Sequence, residues 1–126
     1  MKAKPNKTKL KKDCDKLWSQ IIRQRDGKCL VDGCTNESLH AHHIFSRRHL
    51  GTRWLPITNG VSLCFYHHKY WAHVDYEDFR KFVIDCIGEV EYYKLYTLSK
   101  LATHYKIPDL LEIKEHLKSI LNQMEG

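Results

Sequence analysis

The sequence predicts an α+β fold in which a short two-stranded centre carries metal ligands and is flanked by helices on both sides. Two observations lead to this prediction. Residues 39–72 have the pattern strand, loop, strand, helix, whereas the segments before and after them have the apolar spacing of amphipathic helices. In addition, cysteines and histidines form two short-spaced pairs at the joints of the central segment.

The first element is a helix predicted over residues 12–25. Its apolar residues recur at the spacing of one helix face, and these are Cys14, Leu17, Trp18, Ile21 and Ile22. The Asp26-Gly27 pair ends the helix, because glycine readily adopts the conformation that follows a helix.

The centre begins with a turn, or knuckle, over residues 28–37, which contain Gly33 and two cysteines. A strand is predicted over residues 39–45 and a polar and aromatic loop over residues 46–58. A second short strand covers residues 60–63, and a short helix covers residues 64–72.

Three helices are predicted after the centre, over residues 75–87, over residues 89–104 and from Pro108 onward. Asp75 is expected to cap the first and Gly88 to end it. Their predicted inward-facing residues are Phe79, Phe82, Val83 and Cys86 in the first helix and Leu110, Leu117, Ile120, Leu121 and Met124 in the last. We interpret these helices as packing support. Residues 12–126 are then a single domain, with its motif core at 28–74 and a helical extension at 75–126.

Positive charge is concentrated in two places. Residues 1–11 form a predicted basic tail, which is either a solvated end or an arm that contacts DNA. Residues 38–74 contain no Asp or Glu, although they hold three arginines, one lysine and seven of the nine histidines. A segment of this composition suits a polyanionic partner, because phosphates are repelled by carboxylates.

The cysteine usage and the lack of long apolar runs suggest a cytoplasmic protein with neither a membrane span nor a secretory signal. Five cysteines mixed with histidines favour a metal over disulfides in that compartment. Cys14 and Cys86 fall on apolar helix faces and are interpreted as core residues.

Two ligand pairs predict a structural zinc site. Cys29 and Cys34 are separated by four residues, and Cys64 and His67 by two. Zinc is commonly held by two such pairs, each on a tight turn, and four protein ligands leave no open position for chemistry. The alternative is that these are ordinary buried cysteines with a surface histidine.

The segments AHHI at 41–44, NGVSLC at 59–64 and His67-His68 resemble the HNH motif of the ββα-metal (His-Me finger) endonucleases. The family pattern ends in C-x2-C-H, and here His67 replaces the second cysteine. The HIFSR and E-V-E-Y-Y segments also resemble the small phage recombination nucleases of the Rap/NinG group, which act on branched DNA.

The resemblance implies metal-dependent hydrolysis of DNA phosphodiester bonds. His43 would be the general base that activates water, and the side-chain amide of Asn59 would hold the loop and the His43 backbone. His68 and His42 would bind the catalytic cation, which the sequence leaves open among Mg²⁺, Mn²⁺, Ni²⁺ and Zn²⁺. Because strand side chains alternate in direction, His42 and His43 can share one site only at the end of the strand.

The substrate is expected to be DNA, nicked or branched forms included, and a dimer would allow both strands to be cut. The residues expected to contact nucleic acid are Arg47, Arg48, Arg53, Lys69 and His73. Trp54 would either stack on a base or plug the core beneath the loop. Two other hypotheses stay open. In these, the protein is either a non-catalytic zinc-stabilised nucleic-acid-binding module or a zinc protein whose C-terminal helices bind a protein partner.

Overall fold

A two-stranded antiparallel sheet forms the centre of the protein, and helices surround it. The structure is a computed structural model and describes residues 6–125. The elements in chain order are α1 (Lys7–Asp26), β1 (Leu39–His43), α2 (Leu50–Arg53), a 3-10 turn (Ile57–Asn59), β2 (Gly60–Cys64), a π-helical turn (His67–Trp71), α3 (Ala72–Val74), α4 (Tyr76–Ile87), α5 (Glu89–Ser99) and α6 (Ile107–Glu125). The predicted α+β class and its flanking helices are confirmed.

The sheet register puts the two adjacent histidines of β1 on opposite faces. His42 pairs with Val61, and His43 pairs with Gly60 at the end of the ladder. Gly60 packs directly against α1. A Cβ atom on residue 60 would lie only 2.5 Å from Trp18 Cζ2 and 2.8 Å from the Ile22 side chain. Glycine at this position therefore lets α1 approach the strand that carries the site.

Helix α1 begins at Lys7, five residues before the predicted start at residue 12. The Asn6 side chain accepts a hydrogen bond from the Lys9 backbone N–H at 2.7 Å, which caps the helix at Lys7. Part of the predicted tail is therefore helical, and residues 1–5 of it lie outside the described residues. Gly27, in the left-handed conformation, ends the helix as predicted.

Two apolar clusters hold the helices in place. The first joins α1 to α6 and encloses Trp54, while the second lies beside β2 and includes residues of α4 and α5. Trp54 is 1% exposed, so its interpretation as a core plug is confirmed.

Several predictions for the C-terminal helices were wrong in detail. Cys86 lies on the exposed side of α4 rather than in the core, and Met124 is also exposed, in the last turn of α6. Helix α5 ends at Ser99, five residues early. Asp75 occupies the N-cap position of α4, but within the described residues its carboxylate accepts no capping hydrogen bond. None of the helices in residues 6–125 has the length and apolarity that crossing a bilayer requires.

Candidate functional site

The four predicted zinc ligands converge on one point. The ligand atoms of Cys29, Cys34, Cys64 and His67 all lie within 4.8 Å of one another. The Sγ atoms of Cys34 and Cys64 are 3.8 Å apart, and His67 Nδ1 lies 3.5 Å from Cys29 Sγ and 3.1 Å from Cys64 Sγ. This cluster can hold a metal ion, as the two pair spacings predict.

Local turns bring these residues together. The Cys34 N–H donates to the Val31 carbonyl at 3.0 Å, which closes the knuckle, and Gly33 supplies a positive φ of 76° there. Cys64 is the last residue of β2, and the helix that follows returns His67 to it, with the His67 N–H directed at Cys64 Sγ.

The cluster is chemically suited to a cation. Burial raises the pKa of the Cys29 thiol to about 11. A hydrogen bond from the Asn36 backbone lowers the pKa of Cys34. Because thiolates are costly to bury together, a bound dication is what would keep all three sulfurs deprotonated in this position.

A second cluster consists of histidines and includes His68, the residue that follows the metal-cluster residue His67. The Nδ1 atoms of His42 and His68 are 2.8 Å apart, and His42 is 6% exposed. The ring of His73 lies 5.6 Å from that of His42, and His40 stacks in parallel on His68 at 5.2 Å. His73, predicted to contact nucleic acid, thus belongs to this cluster.

The surroundings keep the imidazoles of His42 and His68 neutral. Burial, followed by the neighbouring charge of His68, lowers the pKa of His42 to about 3. Burial, followed by the neighbouring charge of His40, also lowers the pKa of His68. Neutral imidazole is the form that binds a metal ion, so both residues are available as ligands at neutral pH.

His43 lies on the opposite face of β1, where two contacts fix its ring. Its Nε2 donates a hydrogen bond to the Arg53 carbonyl at 2.9 Å, and its ring stacks on Trp18 at 3.8 Å with an interplanar angle of 9°. Because a carbonyl can only accept, Nε2 carries the proton and Nδ1 keeps the lone pair of the neutral ring. Burial lowers the pKa of His43, although the Arg53 carbonyl and Asp15 oppose the shift. His43 can therefore accept a proton at Nδ1.

Sequence reasoning missed the residue that anchors this carbonyl. The Asp15 carboxylate accepts hydrogen bonds from Arg53 at 3.0 and 2.7 Å and from Trp54 Nε1 at 2.8 Å. Asp15 and Trp18 lie one turn apart on α1, so a single helix face supports the ring of His43 and the segment that orients it. The Arg53 guanidinium, expected to contact phosphates, is paired with Asp15 and lies against Trp54, and its contact with nucleic acid stays a prediction.

Asn59 is fully buried and ties the loop to the strand. Its Oδ1 accepts from the Phe45 N–H at 2.9 Å, while its Nδ2 donates to the carbonyls of Phe45 at 3.0 Å and Thr52 at 2.8 Å. The backbone of Asn59 accepts from the Ile44 N–H. The amide thus holds the loop, as predicted, but its hydrogen bonds go to the backbone of Phe45, two residues after His43, rather than to His43 itself.

One cleft of about 740 Å³ brings His42, His43 and His68 together despite their different faces. His43 can line the same cleft as His42 because it is the last residue of β1, where the strand ends. Of the residues expected to contact nucleic acid, Arg47 and His73 line this cleft. Arg48 is exposed outside the cleft lining, and the Lys69 amino group lies 5.5 Å above the exposed ring of Phe65.

The cleft also contains residues that sequence reasoning assigned to packing support. They come from α4, α5 and the residue after α5, and they are Tyr76, Glu77, Arg80, Tyr93, Tyr96 and Lys100. In α5, Tyr92 and Leu95 are buried, whereas Tyr93 and Tyr96 are exposed on the adjoining side of the helix, and the sequence spacing is compatible with this division.

Comparison with known proteins identifies no matching family model, no similar curated protein and no similar solved structure.

Proposed function

We propose that this chain is a metal-dependent HNH endonuclease that hydrolyses DNA phosphodiester bonds and is stapled by a structural zinc ion. The observation that carries the proposal is the meeting of His42, His43 and His68 in one cleft, with the buried amide of Asn59 holding the loop beside them. The histidine side of the cleft is formed by residues 38–74, which contain no carboxylate, and this favours a phosphate-bearing substrate.

The distances in the cysteine cluster support zinc as its metal. Tetrahedral zinc with ordinary bond lengths would separate two sulfurs by about 3.8 Å and a sulfur from a nitrogen by about 3.5 Å. The Cys34 and Cys64 sulfurs are 3.8 Å apart, and His67 Nδ1 lies 3.5 Å from the Cys29 sulfur and, somewhat closer than that spacing, 3.1 Å from the Cys64 sulfur. Zinc bound there would supply folding energy, because all four positions are filled by the protein.

His42 and His68 would hold the catalytic cation. Their Nδ1 atoms lie 2.8 Å apart, so both imidazoles could reach the same ion. A divalent ion at this position would polarise the scissile phosphate and offset its charge. Two imidazole ligands suit Mn²⁺, Ni²⁺ or Zn²⁺ better than Mg²⁺, which prefers oxygen.

The chain's own residues perform the proton transfer. His43 Nδ1 takes a proton from the attacking water, while the Nε2 hydrogen bond to Arg53 and the stacking on Trp18 keep the ring aimed. The new bond forms between the water oxygen and phosphorus, and the bond to the leaving oxygen breaks. The leaving oxygen takes a proton from solvent water, and His43 returns its proton to solvent. By resemblance to the family, the products carry 5′-phosphate and 3′-hydroxyl ends.

Plasmid nicking by zinc-loaded wild-type protein and its His43→Ala variant tests the proposal. Loosely bound cations are first removed, and Mg²⁺, Mn²⁺, Ni²⁺ or Zn²⁺ is then added. We expect nicking that requires an added ion and falls about a thousandfold in His43→Ala, since a general base contributes roughly that much. His104→Ala, at an exposed histidine outside the cleft lining, is the matched control and should nick normally.

Two results would contradict this function. Equal nicking by the wild type and His43→Ala would remove His43 as the base. Plasmid retardation without nicking under any ion would favour the non-catalytic nucleic-acid-binding module instead.

A further inference from the structure

Three exposed tyrosines line the cleft that contains His42, His43 and His68. Tyr76 is 57% exposed, Tyr93 48% and Tyr96 46%. We call these three rings of α4 and α5 the tyrosine wall. Exposed aromatic rings gathered in one cleft offer flat apolar surfaces that water solvates poorly, so they suit a partner with flat faces of its own.

Cations accompany the tyrosine wall. The Arg80 guanidinium donates to the Tyr93 hydroxyl at 2.9 Å, and the Lys100 amino group lies 5.1 Å from the Tyr96 ring centroid. Arg47 lines the same cleft, and among its lining residues Glu77 carries the one carboxylate. Three permanent cations against one carboxylate, interleaved with aromatic rings, match a chain that alternates phosphates with bases.

The tyrosine wall is fixed relative to the histidines rather than loosely attached. The Phe45 ring, whose backbone Asn59 holds, packs on Tyr92 at 5.2 Å and on Tyr96 at 6.1 Å. The Thr58 hydroxyl donates to Glu91 at 2.6 Å. A nucleotide bound to the wall would therefore keep a set position relative to His43.

We propose that the tyrosine wall binds unpaired nucleotides of the substrate strand next to the bond that is cut, with bases stacked on the tyrosines and phosphates held by Arg47, Arg80 and Lys100. The faces of bases inside a duplex are covered by their neighbours, so only unpaired bases can stack on protein rings. The preferred substrate is then a strand, or a strand segment, that lacks a complement beside the cut. This inference rests on the proposed function for its location and tests a separate property, strand binding.

Fluorescence anisotropy in the His43→Ala background measures strand binding without cleavage. The probes are a labelled oligothymidine of about ten nucleotides and a blunt duplex of equal length at about 0.1 M salt. We expect tighter binding of the single strand, weakened about tenfold for each ring removed in Tyr93→Ala and Tyr96→Ala. Tyr93→Phe and Tyr96→Phe keep the rings and should stay within about twofold of the parent.

Tyr66→Ala is the matched control, because Tyr66 is 58% exposed but lies outside the cleft lining. Tyr76→Ala repeats the test on α4 and guards against a local folding defect in α5. Alanine variants that bind the single strand as tightly as the phenylalanine variants would overturn the proposal, as would preference of the parent for the duplex.

The nicking assay separates the two proposals. Alanine variants that nick normally and bind the strand normally would refute the tyrosine wall and leave the nuclease standing. Strand binding that depends on the wall, in a protein that cuts nothing with any ion, would refute the nuclease alone.

Discussion

His67 and His68 are neighbours in the chain, but they belong to two clusters of opposite character. His67 joins three cysteines in a set of four ligands that can enclose a metal ion completely. His68 contacts His42 at the wall of an open cleft. A closed ligand set can only stabilise, whereas a set with open positions can also admit water and substrate.

The two clusters also differ in the chemistry of their ligands. Thiolates bind soft or borderline metals tightly and release them slowly, whereas a pair of neutral imidazoles binds and exchanges several divalent ions. Side chains from one short helix can serve both clusters, because consecutive residues on a helix project about 100° apart. The difference suggests that stability and chemistry can be removed separately, and the experiments below attempt that separation.

The largest expected effect is on folding, in Cys29→Ser. Removing a ligand from the closed cluster should abolish stoichiometric zinc and replace cooperative melting with aggregation or a broad transition, because structural zinc contributes folding energy directly. Thermal unfolding and metal analysis on the purified protein measure both properties.

Cys86→Ser is the matched control for Cys29→Ser, since Cys86 is exposed on α4 and lies apart from the cluster. It should melt like the wild type. A Cys29→Ser protein that melts cooperatively at the wild-type temperature with its zinc content unchanged would refute the structural site.

The adjacent pair offers the sharpest version of the comparison. His67→Ala should lose zinc and lower the melting temperature by roughly 10 °C or more, since it opens the closed site. His68→Ala should keep one zinc per chain, melt within a few degrees of the wild type and lose ion-dependent nicking by about a hundredfold. Zinc content, melting temperature and nicking are measured on both proteins.

His67→Cys provides a rescue, because it restores four soft ligands and should recover zinc and stability without affecting nicking. If His67→Ala and His68→Ala lose stability and activity in parallel, the two clusters are not functionally separate.

The sequence predicted the cysteine cluster fully and the histidine cluster in part, and the difference has a physical cause. The cluster at Cys29 and Cys64 depends on two tight turns, whose ligand spacing is local and visible in the chain. The position of the His43 ring depends on Asp15 and Trp18, more than twenty residues away in the chain. The residue spacing of α1 does not indicate that Trp18 stacks on His43 or that Asp15 holds Arg53. Long-range contacts of this kind follow from packing, which one sequence does not specify by eye.

The same limit explains why the surroundings of Arg53 and Cys86 did not follow from the sequence. Arg53 stands in an arginine-rich loop, and its ion pair with Asp15 depends on a contact 38 residues away that the loop sequence does not indicate. Cys86 satisfies the apolar spacing of α4, but neighbouring elements cover the Phe79 and Val83 side of that helix and leave Cys86 exposed. Helix spacing indicates which residues share a face and does not say how far the burial extends around it.

The smallest expected effect concerns acid stability and distinguishes the two clusters by protonation. The folded protein holds the pKa of His42 at about 3, whereas an unfolded histidine titrates near 6.5. Above pH 6.5 both states are neutral at His42. Below pH 6.5 His42 takes up a proton in the unfolded state but stays neutral in the folded state, so the free energy of unfolding falls as the pH drops toward 3. At pH 5.5 the loss due to His42 is about 1.4 kcal/mol relative to pH 7.5.

Urea unfolding of the wild type and His42→Asn at these two pH values, with no ion added beyond the structural zinc, measures this contribution. His42→Asn should lose less stability between pH 7.5 and 5.5 than the wild type, by about 1.4 kcal/mol. Acid weakening of the cysteine cluster is common to both proteins and cancels in the difference. Equal losses would mean that His42 is not held neutral by its buried position against His68 and Phe79.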